Sequence, residues 1–176
     1  MVDLKAAVRA IPDFPKPGIV FRDVTTLMGD PLAFSETIDL LCDAYKAHEI
    51  DQIAGIEARG FVFGAALAHR LGIGFVPVRK KGKLPGDTYS QTYDLEYGQD
   101  TLEMHKDALT QGQRVLMIDD LLATGGTALA ALDLVEKAGG KVVGAAFVVD
   151  LPELGGRKKL EARGLDVLTL IEFEGH

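Results

Sequence analysis

Two hydrophobic periodicities alternate along this chain. Val115-Leu-Met-Ile118 is an unbroken apolar run, and behind it Ala128, Ala131, Leu132 and Val135 recur at helical spacing. The first pattern suits a strand buried on both faces of a parallel sheet, and the second suits one face of an amphipathic helix. That helix is predicted to run to about residue 138, where Gly139-Gly140 stops it. Upstream, Asp30 is placed as an N-cap with Pro31 at the first helical position, and Phe34, Ile38, Leu41 and Tyr45 carry the spacing to about residue 48. Further strands are predicted over 52–57, 74–79, 142–149 and 167–171, and further helices over 61–71 and 156–163. Residues 88–93 and 101–105 suggest an antiparallel pair around Glu96-Tyr97-Gly98.

Strands that alternate with helices imply right-handed crossovers and an α/β fold. The expectation is a mainly parallel five-stranded sheet with helices on both faces, its core strands near residues 53, 76, 116, 145 and 169. The first fifty or so residues do not join this rhythm and are too few for a second domain. They are expected to cap the edge of the sheet where ligands bind. Residues 88–106 have many Tyr, Thr and acidic side chains and little core-forming periodicity, so a mobile flap is expected there rather than part of the packed sheet.

Composition narrows the class. A chain of 176 residues suits a single domain that buries roughly 70% of its unfolded surface. Net charge is -7 with a sequence pI near 5.1, which opposes nucleic-acid binding and requires any polyanionic substrate to meet a local positive patch. Cys42 is the only cysteine, which excludes an intrachain disulfide and a cysteine metal cluster, and its helical setting suggests buried packing. No signal peptide or membrane span is evident, so a cytoplasmic protein with no membrane partner is the default. His48, His69, His105 and His176 lack zinc spacing, and Ser35 and Ser90 lack a nucleophile-elbow context. Neither a P-loop nor a dinucleotide fingerprint is present.

The chemistry concentrates where the apolar strand meets the helix. Asp119-Asp-Leu-Leu-Ala-Thr-Gly-Gly-Thr127 places two acids at the carboxyl end of a strand, then a glycine-rich turn at a helix N-terminus. Such a turn presents free backbone N–H groups and the positive end of the helix dipole, a seat for phosphate. An anion seat beside two carboxylates calls for a ligand with both a phosphate and hydroxyls or a metal, and a sugar phosphate meets that description. Taken alone, strand-end acids and turn glycines are common in strand-turn-helix units that bind nothing.

Three other segments invite the same question. In Glu57-Ala-Arg-Gly60, Arg59 offers a guanidinium for bidentate pyrophosphate contact, although a plain surface arginine has the same spacing. Arg79-Lys-Lys-Gly-Lys83 supplies the local cations that an acidic chain needs, with Lys83 preferred for pyrophosphate and Lys81 read as solvated. In Phe14-Pro-Lys-Pro-Gly-Ile-Val-Phe-Arg-Asp23, Phe21 offers a face for base stacking, worth about 1–3 kcal/mol, or plain core packing.

The segment 115–127 resembles the 5-phosphoribosyl 1-pyrophosphate (PRPP) signature of type I phosphoribosyltransferases residue by residue. The resemblance implies that Ala123, Thr124, Gly125, Gly126 and Thr127 hold the 5-phosphate. It also implies that Asp119 and Asp120 face the ribose hydroxyls, directly or through Mg2+ and water. From about Phe14 to Arg157 the chain is similar to the adenine phosphoribosyltransferases of that family. That likeness implies a small N-terminal hood over about 1–30 and a flexible β flap over about 84–106. It further implies a pyrophosphate loop at Glu57, Ala58 and Arg59, often with a non-proline cis peptide between the first two. Arg79 and Lys83 would also serve pyrophosphate, Arg79 across a homodimer interface. Val20, Phe21 and Arg22 would read adenine, and Glu96 would be the catalytic flap carboxylate, with Arg59 assisting.

The implied reaction is Mg2+-dependent phosphoribosyl transfer from PRPP to adenine N9, giving AMP and pyrophosphate in purine salvage. The Asp-Asp loop does not distinguish among bases; only the hood and flap favour adenine over another purine or a pyrimidine. A PRPP-sensing regulator on the same fold is the remaining alternative, and a net acidic chain with only about fifty residues before its first core strand is expected to leave little room for an appended basic DNA-binding module.

Overall fold

In a computed structural model, which describes residues 1–95 and 97–175, the cap comes first in the chain. It comprises α1 (Leu4–Ala7), a hairpin of β1 (Arg9–Pro12) and β2 (Val20–Asp23), and α2 (Thr25–Gly29). There follow α3 (Pro31–Tyr45), β3 (Gln52–Ile56), α4 (Arg59–Leu71), β4 (Gly74–Lys80), β5 (Thr88–Asp94) and β6 (Gln99–His105). The chain continues through β7 (Arg114–Leu122), α5 (Gly126–Lys137), β8 (Lys141–Asp150), a 3-10 turn at Pro152–Leu154, α6 (Gly156–Glu161) and β9 (Val167–Glu172).

Local rules account for several of these boundaries. The Asp30 carboxylate accepts from the N–H groups of Leu32 at 3.0 Å and Ala33 at 3.2 Å, so α3 starts where the Asp-Pro pair predicts. The helix stops at Tyr45, about a turn earlier than apolar spacing suggests. Residues 139–140 follow α5 as expected.

The five expected strands form the parallel core, in the spatial order β4-β3-β7-β8-β9. Two further strands extend it to seven, because β6 pairs antiparallel with β4 and β5 pairs antiparallel with β6. Here the expectation of a flap apart from the packed sheet is corrected. Leu102 and Met104 of β6 are wholly buried and belong to the main core, so the second flap strand is part of the sheet itself, lying between β4 and β5. Glu103, between them, obscures the alternation. It is buried too, but its carboxylate accepts from Gly82 N–H at 2.8 Å, Ser90 hydroxyl at 3.0 Å and Thr88 hydroxyl at 3.1 Å. Those bonds, led by the one from Gly82, outweigh burial and lower its pKa.

Apolar clusters cover both faces of the sheet. On one face Leu41, Phe63, Leu67, Leu116, Ile118 and Val148 join α3 and α4 to the strands. On the other, Val76, Val78, Met117, Ala131, Leu134 and Leu160 bring in α5 and α6. The cap shares the first cluster through Leu4, Val8, Val24 and Leu27, which fixes it over the sheet. No helix among the described residues is long and apolar enough to cross a membrane.

Candidate active site

The carboxyl end of β7 opens onto a cleft of about 260 Å³. Residues 119–128 form its floor, Glu57, Arg59 and Lys80 one wall, and Phe21 and Arg22 of the cap another. Parallel strands put their carboxyl ends at one edge, and a crevice at that edge is where α/β sheets bind ligands.

The loop from Ala123 to Gly125 leads into α5, with Gly125 at φ +89° as the N-cap. That backbone conformation explains glycine at 125, since a side chain there is strained. Among the described residues, the N–H groups of residues 123–127 have no protein acceptor. They line the cleft at the positive end of a twelve-residue helix, so the turn has the form of an anion cradle.

Beside it sit the two acids. Asp120 is nearly fully buried and its Oδ2 accepts from Arg59 Nε at 2.5 Å. Asp119 is half-buried, and its Oδ1 accepts from the Asp120 N–H at 2.8 Å. Burial of its carboxyl, then the adjacent negative charge of Asp120, pushes the Asp119 pKa well above the usual carboxylate range. Arg59 counters part of that repulsion. A Cβ on Gly60 would stand 2.9 Å from Asp119 Oδ1, so the absence of a side chain lets α4 approach the acid. The Glu57–Ala58 peptide is cis, at the position the resemblance indicates.

The basic run divides between two sides of the sheet. Arg79 Nε and Nη2 donate to the Glu57 carboxylate at 3.1 and 3.3 Å, and its guanidinium lies 5.8 Å from the Phe61 ring. Glu57 also accepts from Lys80 N–H at 3.0 Å. Burial pulls the Glu57 pKa upward, but these donors outweigh it and leave the pKa lowered. Lys80 lines the cleft and its ammonium pairs with Asp100 of β6, near the turn of the flap hairpin. Lys83 is exposed beyond the cleft lining. The signal for Lys80 was present in strand parity: Val76, Val78 and Lys80 alternate onto the face that α5 covers.

Of the sequence candidates, Phe21, Arg22, Glu57, Arg59, Asp119, Asp120 and residues 123–127 meet in one cleft. Val20, Ala58, Arg79 and Lys83 flank it without lining it. Phe21 meets Phe14 edge-on with ring centroids 5.3 Å apart, and the Arg22 guanidinium lies 4.1 Å over the Phe173 ring. Glu96 falls outside the described residues. Leu121, Leu122, Ala128 and Phe147 complete the lining and carried no sequence signal beyond apolar packing.

An anion cradle, an acid pair and an arginine thus meet at the carboxyl edge of a parallel sheet. The Phosphoribosyl transferase domain model matches residues 30–174. The chain is 61% identical to an adenine phosphoribosyltransferase of Methylobacterium nodulans over 98% of its own length and 96% of the relative's. It superimposes on the crystal structure of adenine phosphoribosyltransferase from Thermoanaerobacter pseudethanolicus with TM-score 0.93 and 54% identity, covering 97% of this chain and 98% of that one. The Saccharomyces cerevisiae enzyme, complexed with an imino-altritol bisphosphate and adenine, gives TM-score 0.89 at 44% identity over 96% of each chain. The chain belongs to the phosphoribosyltransferase family and, within it, to the adenine phosphoribosyltransferases.

Proposed function

We propose that this protein transfers the 5-phosphoribosyl group from PRPP to N9 of adenine, giving AMP and pyrophosphate. The observation that carries this reading is the cradle at residues 123–127, whose N–H groups have no protein acceptor among the described residues and lie beside Asp119 and Asp120. The cradle anchors the non-reacting end of PRPP, so phosphate binding energy orients the anomeric carbon. As the C1–O bond to pyrophosphate breaks and the N9–C1 bond forms, positive charge grows on the ribose. Asp119 and Asp120 hold the ribose hydroxyls and favour that charge.

Arg59 and Lys80 line the cleft as counter-charges for the departing pyrophosphate, with Arg79 and Lys83 beside them. Phe21 and Arg22 form the wall against which the base rests, with Val20 next to them on the same strand. Glu96, from the flap, is assigned the purine contact and its proton.

Mg2+ belongs to the same reading. Among the described residues no three carboxylate, histidine or cysteine groups cluster as a metal cage. Two adjacent carboxylates fit the alternative mode, in which Mg2+ keeps waters and binds mainly substrate oxygens. Bound there, the ion would neutralise charge building on pyrophosphate. Asp119 and Asp120 are the residues that would hold it. A homodimer of cytoplasmic enzyme completes the proposal, with no nucleic-acid or membrane partner.

The test is AMP formation from adenine, PRPP and Mg2+, with guanine, hypoxanthine and a pyrimidine in parallel. Adenine is expected to be preferred, and Asp119→Asn/Asp120→Asn to lower the rate roughly 100-fold or more with the fold retained. Equal or faster turnover of guanine would overturn the choice of base. A folded wild-type protein that binds PRPP without making any nucleotide would point to the regulator instead.

A further inference from the structure

The phosphate loop rests on the first residue of α6. Gly156 donates its N–H to the Ala123 carbonyl at 3.1 Å. A Cβ on Gly156 would stand 2.5 Å from that carbonyl oxygen, 2.8 Å from a Leu122 methyl and 3.0 Å from the Gly125 nitrogen. In the opposite direction, a Cβ on Gly125 would stand 3.0 Å from the Gly156 Cα. The Leu122 methyl belongs to a side chain packed in the core, and the other two contacts are backbone atoms, so none of the three moves freely. Gly155 sits at φ +81°, but Gly156 is not among the residues of positive φ. Conformation therefore does not require glycine at 156, and close approach does.

The wall behind the loop is itself held. Arg157 donates to the Val167 carbonyl at 2.8 Å and the Thr169 hydroxyl at 2.7 Å, both on β9. Its Nε lies 3.5 Å from the carboxylate of Asp150, which is wholly buried at the end of β8. Leu160 is fully buried against the sheet. A side chain at 156 would therefore displace the loop before it displaced the helix.

We propose that Gly156 is a positioning residue for the phosphate cradle, holding the Ala123 carbonyl down so that the following N–H groups face the ligand. A peptide unit is planar and trans, so its C=O and N–H point in opposite directions. With the Ala123 oxygen bonded beneath the loop, the N–H of Thr124 in the same unit points up into the cleft. The proposal rests on the reading of residues 123–127 as the 5-phosphate seat.

The experiment compares Gly156→Ala with wild type, using ribose 5-phosphate as a probe that carries the phosphate without pyrophosphate or base. Calorimetric affinity for ribose 5-phosphate should fall roughly tenfold and the KM for PRPP should rise to match, while kcat and the adenine KM stay within about twofold. Gly164→Ala is the control: Gly164 sits just beyond α6 at φ +82° with no heavy atom within 4 Å, so strain there should lower Tm without changing either affinity. Should Gly156→Ala fail to fold, Arg157→Lys keeps the charge, loses the planar fork and should show the same split in smaller measure. Unchanged ribose 5-phosphate affinity in the folded variant, or an equal loss in Gly164→Ala, overturns the proposal. Failure of wild type to bind ribose 5-phosphate would sink the phosphate-seat reading itself.

Discussion

Asp23 shows how one residue ties the cap together. Its carboxylate accepts from Arg9 Nε at 2.9 Å, from the Thr25 hydroxyl at 2.6 Å and from Thr25 N–H at 3.0 Å. The Thr25 hydroxyl first, then Arg9, lowers its pKa to about 2. An unfolded aspartate titrates near 4, so the stabilisation is complete above about pH 4 and is lost as pH falls toward the folded value. Arg9 is more than half exposed, and solvent screening leaves a contribution on the order of 1 kcal/mol. At pH 7, Asp23→Asn should lower Tm by about 2–4 °C, and the gap should close as both proteins are melted at progressively lower pH below 4. A gap that stays constant down to pH 2 would show that packing, not charge, accounts for it. Residue chemistry of this kind was only partly legible beforehand. Asp119 and Asp120 stood out because they adjoin a glycine-rich turn, whereas Arg59 reaches Asp120 across 61 positions and no local pattern announces that pairing.

Elements were clearer where one period ran undisturbed. The strand at 115–118 and the helix behind it appear as β7 and α5 because burial on both sides allows no polar interruption. The sequence predicts a strand at β6 but hides its burial, because a buried glutamate with three donors looks, in sequence, like a solvent-facing acid. The structure makes Leu102 part of the core. Leu102→Ala should therefore cost about 2–5 kcal/mol, as large core truncations do. A strand that only formed a loose flap would show less than about 0.5 kcal/mol. Urea denaturation of the two proteins distinguishes these cases. The other flap strand, β5, has its own tether: Lys137 at the end of α5 donates to the Ser90 carbonyl at 2.8 Å and to Gln91 Oε1 at 2.6 Å. The flap thus leans on the same helix whose N-terminus forms the cradle.

At the scale of the molecule, one sheet separates two apolar clusters, and the cap contributes to the first of them. Shared strands couple the faces, since removing either cluster exposes one face of the same strands. Thermal unfolding is expected as one calorimetric transition, with calorimetric and van't Hoff enthalpies in agreement. A separate low-temperature transition for residues 1–30 would instead mark the cap as an independent unit.

The amino-acid order alone determined the alternation of strands and helices, the start of α3, the stop of α5, the glycine-rich turn and the acids beside it. All of these depend on neighbours within a few positions. Only the tertiary structure decided that Arg59 meets Asp120 and that Gly156 must lack a side chain. Such contacts join segments far apart in the chain, and close packing, which no local period encodes, selects them.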